Sequence, residues 1–492
     1  MKIKILNFIK EFQKIINNNK NNYVLISNKE DSQLKLNYYQ FSVLIFKACN
    51  FLKKKKIKDT VIIFLPNCPE AIVIIFSLFF NNKNVLLLNY NLSDYEVNQY
   101  INSLNFKNSI IITNKDKKIT LDKIKIKKVF LETNEKFEFL NKFSSKLVKK
   151  SKSKSKLIIL TSGTTGKPKT IEHDINKLWS SGYYFLKFHK LESAKLCFWN
   201  FLPISYLGGI YNLCLIPIIS SGSFILDQEF NGNTFFNFWQ TVKRHNINAI
   251  WFVPTIIKGL YAIRSKIIIN DINISNQKIV CFLGTAPINY NLKKKFESFF
   301  NLKLLENYAL SETTFISSES YENIKYRTKN SKGEILPYVK IKFINNKIKK
   351  LKNIYVSTPF LYENAHNDNL ISKNNLVFFN TRDLGNISKK KLIVNGRDRD
   401  IIKKGGHLIF LQDIEELIEN IDLINRVAAK PTFDKFYGEN YNLFISLLKK
   451  ASEVEKNRIE LKIREMLGKY KWPKKIIFKS TLKTTSSGKI KK

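Results

Sequence analysis

The sequence predicts an α/β fold in two parts: a large N-terminal domain of parallel-rich sheets packed with helices (1–395), then a small α+β domain (396–492). Three observations predict it. The 492 residues exceed what one ordinary hydrophobic core organises. Short apolar, β-branched runs alternate with helix-length segments through much of the chain, which is the rhythm of parallel strands joined by helical crossovers. In the last quarter that alternation stops.

Taken in order, VIIFL (61–65) is a strand, 69–80 a helix and VLLL (85–88) a second strand. Residues 93–104 form a helix behind a capping Ser93, and SIIIT (109–113) is a third strand. KKSKSKSK (149–156) reads as a low-complexity, solvated connection. It leads into LIILT (157–161), a short buried strand. FLPISYLGG (201–209) is a strand and turn followed by an apolar, helix-like segment. A second series then alternates: helix 235–245, strand AIWFVP (249–254), helix 255–264, strand KIVCFLG (278–284), helix 289–300 and strand KLLENY (303–308). Near the end, LIVNGRDRDIIKKGGHLIF (392–410) makes two short strands around a turn. Helix 412–419, strands NRVAAK and YNLFISLL, and helix 453–467 complete the small domain.

Composition excludes several classes. Five scattered cysteines with no CxxC pair argue against a disulfide framework or a zinc site and fit a reducing cytoplasm. MKIKILNFIKEF has no uninterrupted apolar run of signal-peptide type, and the most apolar windows, 61–80 and 210–226, are broken by Pro, Asn, Glu or Ser. No transmembrane segment is expected. The formal charge of +43 invites a nucleic-acid partner. Yet only nine of the 83 cationic residues are Arg, and the Lys are spread along the whole chain with abundant Asn and Ile. All three residue types have AT-rich codons, so mutational bias accounts for the charge. No specific nucleic-acid partner is expected, only weak peripheral attraction to anionic membrane surfaces.

The chemistry begins at TSGTTGKPK: Thr161, Ser162, Gly163, Thr164, Thr165, Gly166, Lys167, Pro168, Lys169. Glycines let backbone N–H groups approach a ligand, hydroxyls add donors, and the lysines bring positive charge, which together suit a polyphosphate. It is not a Walker loop, which has four residues between its glycines and whose Lys precedes Ser or Thr. The stretch closely resembles the phosphate loop of the adenylate-forming (AMP-binding) superfamily, which includes acyl- and aryl-CoA synthetases. Further motifs follow in that superfamily's order. ENYALSET (306–313) resembles its strand-end motif, which implies Tyr308 against adenine, Ser311 near the α-phosphate and Glu312 on Mg²⁺. LGTAPIN resembles the loop that stacks on adenine and brings in Gly284, Thr285 and Ala286. NTRDLG resembles the ribose motif, with Asp383 accepting from both hydroxyls. GRDRDIIKKGG resembles the interdomain crossover, with Arg397 reaching the nucleotide, Arg399 at the hinge, and Gly405 and Gly406 in the loop facing coenzyme A. TTSSGKIKK resembles the C-terminal motif and makes Lys489 the adenylation lysine.

Four residues depart from the pattern. Tyr206 stands where His or another aromatic is usual, Ala309 and Arg382 replace glycines, and Arg399 replaces an Asp or Lys pivot. The resemblance implies a small domain that moves, and an ATP-dependent ligase that adenylates a carboxylic acid and passes the acyl group to a thiol. That thiol is coenzyme A or a carrier-protein phosphopantetheine; a non-catalytic nucleotide-binding protein is the rival from another class. The acyl pocket is expected from Tyr206, Gly209, Ile210, Phe252, Leu283 and Ala309. No acid lies between Glu192 and Asp227, where amino-acid-activating relatives place one against the ammonium group, so an uncharged aliphatic or aryl tail is expected.

Overall fold

The computed structural model describes residues 3–29, 34–104, 106, 109–117, 126–146, 153–162, 168–266, 278–346, 351–365, 370–404, 407–434, 438–467 and 469–483. Among these, the strands form sheets of six, fourteen and five. In the six-stranded sheet, Lys127–Leu131, Ile110–Asn114, Thr60–Phe64, Asn84–Leu87 and Lys156–Ser162 lie side by side and parallel. The helix Pro69–Phe80 that joins two of them is buried along its whole length, and its proline stands at the first turn, where a missing N–H costs nothing. Ser93 caps the helix Asp94–Ser103 through a reciprocal box with Glu96.

The fourteen-stranded sheet has two halves. Tyr23–Ser27, Ser223–Leu226, Cys197–Asn200, Ala249–Phe252, Val280–Leu283 and Leu304–Leu310 run parallel. From Leu304–Leu310 onward the pairing turns antiparallel through Thr314–Ser318, Ser331–Ile335, Lys391–Arg397, Leu376–Ser388, Leu351–Ser357 and Lys340–Asn346. The first half follows the predicted rhythm; the second was not foreseen.

One local expectation needs correcting, and two gain detail. The KKSKSKSK stretch is not all solvated: Ser153 and Ser155 are fully buried, and both hydroxyls donate to Phe79 O, at 2.7 and 3.1 Å. They close the C-terminal end of the buried helix, a demand invisible in a serine–lysine repeat. The strand after residue 156 is one arm of a hairpin, because Pro168–Asp174 pairs back on it from Ser162↔Pro168 to Lys156↔Asp174. The apolar segment after Tyr206 opens as a π-helix, Gly208–Leu215. Gly209 lies so close to Pro203 that a Cβ there would sit 2.1 Å from its carbonyl oxygen.

The five-stranded sheet comprises Ile401–Lys404, His407–Phe410, Ile424–Asp434, Gly438–Leu447 and Lys475–Lys479. With the helices Leu411–Ile418 and Glu453–Met466 it encloses its own apolar cluster, which includes Ile402, Leu411, Ile418, Val427, Leu443 and Ile463. Among the described residues, the main apolar cluster of the larger sheets draws nothing from beyond Val394.

Candidate active site

The hairpin and one turn of the large sheet meet at the centre of the site. On the hairpin, Thr161 and Lys169 are cross-strand partners, and the Thr161 hydroxyl donates to Lys169 O at 3.4 Å. Gly163, Thr164, Thr165 and Gly166 lie outside the described residues. The Lys169 ammonium donates to the Tyr362 hydroxyl at 3.2 Å and sits 5.2 Å from that ring's centroid. Farther down the same strand, His173 is buried, and burial pushes its pKa down to about 4, so the imidazole is neutral. Its Nε2 lies 2.6 Å from Ser311 O; a carbonyl only accepts, so Nε2 carries the proton. Ser311 and Glu312 form the turn between Leu304–Leu310 and Thr314–Ser318. Glu312 O accepts from Tyr362 N–H at 2.9 Å.

The neighbouring strand end carries the second group. The Tyr308 hydroxyl donates to Asp383 Oδ2, and burial together with the Asp383 carboxylate raises the phenol far above its ordinary pKa. Asp383 and Arg397 are cross-strand partners, with Arg397 Nε 3.4 Å from Asp383 Oδ1. Arg382 stands at φ +60°, a left-handed conformation that favours glycine over a residue with a side chain. Thr285 is also left-handed, at φ +77°, and its buried hydroxyl has no hydrogen-bond partner. Beside it, a methyl on Gly284 would lie 3.3 Å from Trp251 Nε1, whose N–H is likewise unpartnered. These residues place a carboxylate, two cations, a phenol and an unsatisfied hydroxyl around adjoining strand ends, which fits a nucleotide. Residues 12–359 match the family described as AMP-binding enzyme.

The chain belongs to the AMP-binding enzyme family. It is 25% identical over 429 residues to the 2-succinylbenzoate–CoA ligase of Lactococcus lactis subsp. lactis (strain IL1403), covering 86% of this chain and 87% of that one. It is 24% identical over 364 residues to the malonate–CoA ligase of Arabidopsis thaliana, covering 68% and 59%. Its fold matches o-succinylbenzoate CoA synthetase from Bacillus subtilis, in complex with its acyl-adenylate intermediate OSB-AMP, with a TM-score of 0.80 at 19% identity, over 98% of this chain and 96% of that one. The match to ATP-bound MatB from Rhodopseudomonas palustris has a TM-score of 0.82 at 18% identity, over 99% and 97%.

Among the described residues no three His, Cys, Asp or Glu side chains gather as a metal cluster. A hard dication such as Mg²⁺ keeps several waters and takes one or two carboxylates plus substrate phosphates. Glu312, half-buried on its turn, is a fitting donor.

The expected acyl-pocket residues do not all share one space. Tyr206, Gly209 and Ile210 belong to the turn and the start of the π-helix, with Gly209 N–H donating to Tyr206 O at 2.9 Å. That helix packs on the face covered by Ile175–Phe188, since a methyl on Gly182 would touch Tyr211 and Ile216. Trp251 and Phe282 face the same way, against Phe185. Phe252, the next residue, points to the opposite face and packs on Phe238 and Phe296. Leu283 is paired with Phe252 and shares that face. The alternation of a strand therefore sets Phe252 and Leu283 on the face away from Trp251 and Phe282. Ala309 is exposed and Ala286 half-buried.

Gly405, Gly406, Lys489 and the Arg399 side chain lie outside the described residues. Two residues of the site were missed in the sequence, His173 and Tyr362. Neither sits in a motif, and each touches partners more than a hundred positions away.

Proposed function

We propose that this protein is an AMP-forming carboxylate–CoA ligase with two half-reactions. The observation that carries the proposal is the direct bonding of the Lys169 hairpin to the Ser311–Glu312 turn, beside the Tyr308–Asp383–Arg397 group. In the first step a carboxylate oxygen attacks the α-phosphorus of ATP, and the bond to pyrophosphate breaks. Both reactants are anions, so the barrier is lowered by fixed positive charge. Lys489 would lie between carboxylate and α-phosphate, with Thr161, Ser162 and Lys169 at the departing pyrophosphate. Asp383 would accept from the ribose hydroxyls, and Tyr308 would meet the adenine. Bound Mg²⁺, held through Glu312, supplies charge neutralisation of the phosphates. In the second step the coenzyme A thiol attacks the acyl carbon and AMP leaves.

A pivot at Arg399 would let the small domain, from about residue 396, present first Lys489 and then the loop of Gly405 and Gly406. The absence of an acid between Glu192 and Asp227 supports a substrate whose tail carries no ammonium group. A cytoplasmic ligase of fatty or aryl acids is the setting this favours. The test is pyrophosphate exchange into ATP across a panel of aliphatic, aryl and dicarboxylic acids. Acid-dependent exchange, followed by thioester formation with coenzyme A, is expected. ATP binding with no exchange for any acid would leave a nucleotide-binding protein instead.

A further inference from the structure

Tyr362 uses three of its groups at once. Its N–H holds Glu312 O at 2.9 Å, its hydroxyl accepts from Lys169 Nζ at 3.2 Å, and its ring lies under that ammonium at 5.2 Å. The residues that follow stitch the same segment to the hairpin. Glu363 N–H donates to Glu172 O at 2.7 Å, while the Asn364 side chain accepts from Glu172 N–H and donates to Thr170 O, both at 3.0 Å. His173 then closes a ring by donating to Ser311 O at 2.6 Å. The path from Glu312 through Tyr362, Glu363, Glu172, His173 and Ser311 back to Glu312 contains only chain neighbours and hydrogen bonds.

Such a closed path fixes Tyr362 against the Glu312 turn, and the Tyr362 hydroxyl and ring in turn hold the Lys169 ammonium. A lysine on a strand surface otherwise samples many rotamers, and confining it costs up to about 2 kcal/mol of side-chain entropy. A ring face and a hydroxyl together confine the Lys169 ammonium before any ligand arrives. An ordinary core tyrosine would need only the edge contact with Phe379 that Tyr362 also makes, at 5.9 Å.

We propose that Tyr362 is a positioning residue that sets the Lys169 ammonium and the Glu312 turn at the spacing of a magnesium-bound triphosphate. The proposal rests on the ligase reading, in which Lys169 meets phosphate and Glu312 the metal. Tyr362→Phe keeps the ring, the contact with Phe379 and the backbone bond to Glu312, and removes only the hydroxyl. Its expected signature is a dissociation constant for Mg·ATP, measured by calorimetry without acid, raised about threefold to tenfold, which is ~0.7 to 1.4 kcal/mol. The melting temperature of the free protein and the KM for the acid should stay as in the parent. In a Lys169→Met background, adding Tyr362→Phe should change the constant less than about 1.5-fold, because the hydroxyl then has nothing to hold.

Tyr362→Leu, which also removes the ring face, should weaken Mg·ATP further while Lys169 is present. Unchanged affinity in Tyr362→Phe, or an equal effect with and without Lys169, overturns the positioning role. If Lys169→Met itself leaves Mg·ATP binding and exchange at parent values, the phosphate role of Lys169 falls first, and Tyr362's with it. Loss in Lys169→Met but not in Tyr362→Phe removes the positioning role alone.

Discussion

Arg382 shows how one residue can record both a function and a strain. It sits at φ +60°, one position before Asp383, with its N–H held by Asn380 Oδ1 at 2.9 Å. A side chain in that conformation costs ~1–2 kcal/mol, and glycine's greater freedom in the unfolded chain returns part of it. Arg382→Gly should therefore stabilise the protein by about 0.5–1 kcal/mol. Chemical denaturation of the two proteins checks this, and a less stable variant would mean that the arginine's other contacts outweigh the strain. Two buried histidines act on stability through pH. Burial takes His173 down to about 4 and His189 down to about 3, both from 6.5. Below pH 6.5 the unfolded chain takes up protons that the folded one refuses, so stability is full above 6.5 and falls as pH drops toward 4. Each histidine contributes a slope of ~1.4 kcal/mol per pH unit. His189 lies among the rings of Phe185, Phe188 and Phe282, so His189→Phe fits the space and leaves Ser318 Oγ bonded to Asn307. Between pH 6 and 4 the variant should lose stability less steeply by about one proton's slope; parallel curves would place the acid sensitivity elsewhere.

At the scale of elements, the strand Leu304–Leu310 owes its position to charges rather than to apolar packing alone. Behind it, Lys293 from the helix Tyr290–Phe300 is 1% exposed and bridges Glu306 and Glu319 at 3.0 and 2.7 Å. Arg327 ties Glu297 to Glu319 at 2.7 and 2.9 Å, and Lys332 binds Glu306 from the other side. Burial alone would raise the Glu306 pKa, but the ammonium groups of Lys332 and Lys293 outweigh it and hold the carboxyl well below its ordinary range. Removing one member of such a group leaves buried charge uncompensated. Lys293→Met should cost about 3–5 kcal/mol and lower the melting temperature by many degrees. A melting curve that overlays the parent's would show that the remaining cations suffice. The sequence disclosed some elements of this fold and not others, for physical reasons. The helix 69–80 and the strands around it were legible because continuous apolar runs ended at Pro, Ser or Asn. The antiparallel half was not, since strands such as SKGEI and KIKFINN are lysine-rich and are defined by their partners across the sheet. The strand Pro168–Asp174 was hidden the same way, behind a proline that is tolerated at a strand's first residue. The site divides likewise. Asp383, Glu312 and Tyr308 stand in recognisable strings, whereas His173 and Tyr362 gain meaning only from long-range contacts, and strand alternation, not composition, turns Phe252 away from the face of Trp251.

For the whole molecule, the two apolar clusters are joined in part by contacts of modest strength. Lys258 reaches Glu419 at 3.5 Å and Asn425 O at 2.7 Å, and Lys329 reaches Asp413 at 3.2 Å. Partly exposed ion pairs of this kind are worth at most about 1 kcal/mol each, which suits the change of orientation proposed for the small unit. Among the described residues, which end at 483, neither cluster draws on any residue beyond Phe478. Under the ligase reading, in which Lys489 acts only in the chemistry, deleting residues 488–492 should leave ATP binding and the melting temperature close to the parent's. Acid-dependent pyrophosphate exchange should fall at least about a hundredfold, the loss of one positioned charge. Parent-like exchange in the truncated protein would remove Lys489 from the chemistry. The strand Tyr23–Ser27 has a different consequence, felt during synthesis. It pairs with Lys35–Asn37 at once, but its parallel neighbour is Ser223–Leu226, where Leu25 lies against Phe224. At ~5–20 residues per second, on the order of 200 residues and ten to forty seconds separate the two strands at the ribosome. Throughout that interval one apolar edge of an already formed ribbon stays open, so the earliest-made part of the large sheet is the part most in need of a chaperone.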